Sequence, residues 1–184
     1  MHIRASMCRG MPVVDDATQD TVATLDDPVI DPDTGNIQGF FVSAVFSRDA
    51  LFLQTSDIVG WGMQVHIRNA DRLTPPDELI RLQRFFEGGR TVLGQSILTR
   101  GTKMRLGTCA DVQFNTHHFT LEWLFPRKFF FYRQPVPVTE IYEVTKDAVW
   151  VNDPLRPTKV KKVEPKNVAL DVLDPAVPEV MPTT

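Results

Sequence analysis

Cysteine is nearly missing from this chain. Cys8 and Cys109 are the only two in 184 residues, which excludes a disulfide framework and a cysteine-rich zinc module. Long apolar runs are missing too: none approaches the roughly 18 residues that a membrane-spanning helix needs. There is no basic excess. Lys and Arg number 20 against 23 Asp and Glu, for a net charge of −3, and that balance argues against a strongly basic nucleic-acid binder. The opening residues, MHIRASMCRG, contain no apolar segment of the secretory kind. The expectation is a cytoplasmic protein without an integral membrane segment.

Chemical signatures are equally scarce. No Cys-x-x-Cys or His-x-His spacing occurs, and no Gly-x-Ser-x-Gly. Gly88-Gly89 and Gly94 lack the Lys-Ser/Thr of a phosphate loop. His117-His118 are adjacent, and on a strand adjacent side chains point to opposite faces, so one metal cannot easily take both. Asp31-Pro-Asp33 with Gly35 lacks the sixth-position glycine and the twelfth-position glutamate of a calcium loop; a turn is the better reading. No enzyme, metal or cofactor is expected.

Apolar residues make up 42% of the chain, enough to fill a core. Length permits one ordinary domain or two of roughly 75 residues each. Charge is uneven: residues 1–74 hold 10 acids and 5 bases, and the remainder is near neutral. Six of the 14 prolines fall within 154–184. Such a density forbids a sheet ladder or a long helix, so this tail is expected to be extended.

The body reads as strands. Met11–Asp15, Thr21–Ile30, Ile37–Phe46, Ala50–Gln54 and Met63–Arg68 are short, apolar and partly alternating, and Asp31–Asn36 forms a turn. Thr74-Pro-Pro-Asp-Glu then opens an expected helix, with Leu79, Leu82, Phe85 and Phe86 on one stripe and Gly88-Gly89 at its end. The same layout returns about 84 positions later. Gly10 matches Gly94, Leu25 matches Cys109, Asp27 matches Asp111, and Val65-His66-Ile67 matches Val149-Trp150-Val151. The spacing predicts two small β-barrels, 1–74 and 90–153, joined by a linker helix over 75–89 and followed by the Pro-rich tail 154–184. A single larger barrel or sandwich is the alternative.

The first copy resembles a known family. Arg9-Gly-Met-Pro-Val-Val-Asp15, Ala23-Thr-Leu-Asp-Asp27, the hairpin Val29-Ile-Asp-Pro-Asp-Thr-Gly-Asn-Ile-Gln-Gly-Phe-Phe-Val42 and Thr55-Ser-Asp-Ile-Val-Gly-Trp-Gly-Met-Gln-Val-His-Ile67 follow the series of the PRC-barrel family. That domain occurs in the photosynthetic reaction-centre H subunit and in the C-terminal half of the bacterial ribosome-maturation factor. Gln19-Asp20 stand where family members usually show a glycine. The whole chain thus resembles a tandem PRC-barrel protein. The resemblance implies small barrels that hold protein or ribonucleoprotein parts together, with no shared catalytic residues and no site to carry over.

One segment stands apart: Leu124-Phe-Pro-Arg-Lys-Phe-Phe-Phe-Tyr-Arg-Gln-Pro135. Phe129, Phe130, Phe131 and Tyr132 run together, flanked by Arg127, Lys128 and Arg133. On a strand, two of the four rings would face inward and two outward. Outward rings beside cations suit a protein hot spot, stacking on RNA bases or a membrane surface; a neighbouring barrel, the tail or a dimer partner could equally cover them. These seven residues are the expected partner-binding site of a non-catalytic adaptor or assembly module for a protein partner, with a homodimer allowed. A ribosome- or RNA-linked assembly role is the alternative, and a peripheral place in a photosynthetic or other membrane complex is a further one.

Overall fold

Alternation of small apolar and polar residues sets the strands, and local bulges decide which face each half of a long strand buries. In the computed structural model, which describes residues 1–45 and 50–153, the elements in order are β1 (His2–Arg4), α1 (Ala5–Cys8), β2 (Pro12–Asp15), β3 (Thr21–Ile30), β4 (Ile37–Ala44), β5 (Ala50–Gln54), β6 (Ile58–Trp61), β7 (Val65–Ile67), α2 (Gln83–Glu87), β8 (Ser96–Thr99), β9 (Arg105–Asn115), β10 (Thr120–Lys128), β11 (Phe131–Tyr132), β12 (Val136–Pro137), β13 (Ile141–Val144) and β14 (Ala148–Val151). The expected Pro-rich tail and Phe46 lie outside the described residues. In β3 the side chains of Ala23 and Leu25 point inward. The register then shifts between Leu25 and Pro28, and the strand resumes with Val29 and Ile30 buried. A bulge of this kind bends a strand and re-aims its side chains.

The protein is mainly β, in two sheets. The first has the order β5-β4-β3-β2-β7-β6, and the second has β11-β10-β9-β8-β14-β13. The two orders match strand for strand. Each contains one parallel pair, β2 with β7 and β8 with β14, among antiparallel neighbours. The backbone repeats in finer detail. Gly10 N–H donates to Leu25 O and Leu25 N–H to Met11 O; Gly94 N–H donates to Cys109 O and Cys109 N–H to Gln95 O. Asp16 N–H donates to Ile67 O, as Arg100 N–H does to Val151 O. Left-handed residues also recur in pairs: Gly10 with Gly94, Gln19 with Lys103, and Gly35 with Phe119. Gln19, a residue with a side chain, takes φ +64°.

The two sheets meet at their β-turns. Ile37 N–H donates to Phe119 O at 2.7 Å and Leu121 N–H to Gly35 O at 2.9 Å. These two bonds exchange under the same repeat, and the bridge between Asn36 and Thr120 lies between them. One hydrophobic core runs through both sheets, joining Leu25, Phe40 and Val42 to Val112, Phe114 and Leu124. Met1–Pro154 accordingly forms one compact unit, with no boundary at residues 75–89.

Each half also lends an arm to the other. β1 pairs with β9 in the second sheet, and Ser6 donates both its N–H and its hydroxyl to the buried Asp111 carboxylate, at 3.0 and 2.6 Å. In the opposite direction, Leu82 with Leu79, Phe85 and Phe86 packs on Val29 and Phe52 of the first sheet, and Arg90 clasps Asp33 through two bonds of 2.7–2.8 Å.

The expected linker helix is not continuous. Residues 76–78 and 80–82 form separate 3-10 turns and only α2 is α-helical. Thr74 caps nothing; its backbone instead pairs with Phe52. Pairing at Thr74 and the fixed φ of Pro75 and Pro76 hold this stretch against the sheet, and Leu79 leaves helical geometry at ψ 68°. The apolar stripe packs on the first sheet, Leu82 buried and Leu79, Phe85 and Phe86 partly buried, but on short turns rather than on one helix.

Candidate functional site

The aromatic segment forms the protruding end of the second sheet. β10 and β11 pair through Arg127 with Tyr132 and Lys128 with Phe131, leaving Phe129 and Phe130 as a two-residue turn. The hairpin projects past the core, so Phe131 and Tyr132 on β11 are both exposed, and the expectation of two inward-facing rings is corrected. Phe129, Phe130, Phe131 and Tyr132 are 83%, 92%, 74% and 52% exposed.

The base of this hairpin is firmly built. Phe125 is buried, and the Arg4 guanidinium lies 3.9 Å from its ring centre. Arg133 N–H donates to Pro126 O at 2.8 Å, closing the ladder below the tip. Gly107 lets the strand approach, since a Cβ there would sit 2.7 Å from Arg127 O. The tip is strained where the base is not. Phe129 holds φ +55°, a region that bulky L-residues avoid at a cost of about 1–2 kcal/mol. Two-residue hairpins normally place Gly, Asn or Asp at such a position.

Arg127, Lys128 and Arg133 surround the rings, and no acid lies between Leu124 and Pro135. Among the described residues, none of the three cations forms an ion pair. The seven sequence-predicted residues are thus brought together on one exposed tip, with ring faces and cations presented outward.

The other candidates serve the fold. The N–H groups of His117 and His118 donate to the Asn115 side chain at 2.8 and 3.2 Å, which makes the pair part of the β9–β10 turn. Asp31 accepts from Asp33 N–H and anchors its own turn. Cys8 and Cys109 are both fully buried, and burial pushes each thiol up to about 12. The Asp15 carboxylate, held below the usual range by N–H donation from Ala17, Ala70 and Thr18, ties β2 to the segment after β7. Among the described residues, no three His, Cys, Asp or Glu side chains gather within metal-binding reach, and no helix is long and apolar enough to cross a membrane.

Sequence reasoning missed the pairing of β1 with β9 and the turn at Phe129-Phe130. The first joins residues more than 100 positions apart and leaves no local pattern. The second carries no Gly, Pro, Asn or Asp to mark it. No family model matches the chain, and no curated protein matches it either.

Proposed function

We propose that this chain is a non-catalytic adaptor or assembly module, built from two PRC-type sheets around one shared core, which holds a protein partner through the β10–β11 hairpin. One observation carries the reading. Phe129 is a bulky residue in a left-handed conformation, and its ring is 83% exposed. Within the fold the ring gains little packing, and glycine would relieve the strain. Strain without internal compensation points to a use outside the fold.

The tip has the composition of an interaction hot spot, in which aromatic rings and Arg dominate. The rings supply buried area at low cost in side-chain entropy, and the three cations select an acidic surround and speed encounter. The rigid base, with Phe125 buried beneath Arg4, keeps the tip in one geometry, which lowers the ordering cost of binding.

The test is co-purification from the native host. The full chain is expected to retain a partner that the double variant Phe129→Ser/Phe130→Ser loses, while both proteins show the same thermal unfolding. Equal retention by the two would remove the hairpin from consideration. Retention of RNA that falls steeply with salt would replace the protein reading with a nucleic-acid one.

A further inference from the structure

The repeat that relates the two halves is broken at one place inside the molecule. In the first half, Trp61 ends β6 opposite Val65, and its ring stacks on Phe119 at 5.7 Å and on Phe40 at 5.4 Å. In the second half, Val144 ends β13 opposite Val149, at the place corresponding to Trp61. Gly35 corresponds in the same way to Phe119, and Leu124 to Phe40. The space filled by two large rings on one side is therefore lined by glycine and valine on the other. What results is a groove of about 360 Å³, with Gly35, Leu121, Val138 and Val144 among its walls. Asp33 and Glu143 also line it, Asp33 being already paired with Arg90.

We infer that this groove receives the aromatic–cationic hairpin of a second copy of the chain. The inference rests on the docking role proposed for that hairpin and names its partner. Two observations select the occupant. The twin site shows that this backbone frame accommodates aromatic rings, since it holds Trp61 and Phe119 in contact with the shared core. Charge is complementary as well: carboxylates line the groove, and Arg127, Lys128 and Arg133 flank the rings. The hairpin cannot fill the groove of its own chain. Leu121 in the groove wall and Lys128 at the foot of the tip lie on one strand, β10, seven residues and so up to about 23 Å apart, with Phe129 beyond its end. The contact is therefore between molecules, with the hairpin of one copy seated in the groove of the next.

The experiment is sedimentation velocity on the full chain over a range of concentrations. The unaltered protein is expected to self-associate. The hairpin variant Phe129→Ser/Phe130→Ser and the groove variant Gly35→Phe, which restores the ring of the twin site, are each expected to raise the dissociation constant at least tenfold. Glu143→Lys provides a second groove variant that leaves the floor intact and is expected to act in the same direction. The deciding arm mixes the hairpin variant with Glu143→Lys. Each carries the half that the other lacks, so the mixture is expected to form a 1:1 complex although neither associates alone. A protein that stays monomeric at every concentration, association unchanged in all variants, or a mixture that remains monomeric would overturn the inference. An unaltered protein that stays monomeric but captures a host protein that the hairpin variant loses would leave the hairpin's docking role standing; an unaltered protein that neither self-associates nor captures one would end it.

Discussion

Replacing Phe129 by glycine separates the needs of the fold from those of docking. The residue sits at φ +55° with its ring 83% exposed. A left-handed conformation costs an L-residue about 1–2 kcal/mol, and glycine removes that cost. Against it stands the extra freedom that glycine gives the unfolded chain, about 0.5–1 kcal/mol, and the loss of what little area the ring covers. The balance is a gain of about 0.5–1 kcal/mol. For a unit of this size that raises the midpoint of thermal unfolding by about 1–4 °C, readable by calorimetry or by circular dichroism. Phe130→Gly is the control: Phe130 is not among the left-handed residues, so no gain is expected there. Phe129→Gly should thus be more stable than the unaltered chain and yet dock less well. A fall of several degrees for Phe129→Gly would show that the ring is held by the fold, and the reasoning from uncompensated strain would collapse.

Other consequences follow from the same geometry. Asp111 and Asp27 occupy equivalent places in the two halves, but only Asp111 is buried and bonded to Ser6. Asp111→Ala should therefore cost about 2–3 kcal/mol in urea unfolding, whereas Asp27→Ala, which breaks only an exposed pair with Arg9, should stay within about 0.5 kcal/mol. Gly39→Ala would place a Cβ 2.3 Å from Leu53 O and 2.4 Å from the Phe52 ring, and a loss of about 3 kcal/mol is expected. With both thiols raised to about 12 by burial, Cys8 and Cys109 should react with a thiol reagent only as fast as the protein opens. Acid should weaken the fold. Asp15 is held below the ordinary carboxylate range chiefly by Ala17 N–H, Asp33 by Arg90 and Asp153 by Thr102. Their contribution is present above the unfolded carboxylate value near 4 and is lost as pH falls below it. Denaturation midpoints measured from pH 7 to pH 3 should fall, and Asp15→Asn should flatten that fall.

The strands were largely legible in the sequence because their pattern is local. Thr21–Ile30 and Ala50–Gln54 appear where alternation and branched residues place them. The correspondence of Gly10 with Gly94 was legible too, and the structure gives both the same left-handed conformation and the same pair of backbone bonds. What the sequence concealed is long-range or unmarked. β1 adds to a sheet whose other strands lie some hundred residues away, so its three residues carry no signal of their partner. The segment after Thr74 has the stripe of a helix, but sheet contacts and two prolines break it into turns. The aromatic run was visible as a cluster, yet its placement was not, because a turn made of two phenylalanines obeys no turn chemistry. Only the projection of the hairpin beyond the core shows that all four rings are uncovered.

The most direct test of the docking reading is photocrosslinking in the native host. A photoreactive phenylalanine analogue would be placed at Phe130, which is 92% exposed on the hairpin, and separately at Met63, 96% exposed on another loop. The reading requires a discrete protein adduct from position 130 and none from position 63. No adduct at position 130, or the same adducts from both positions, would contradict it.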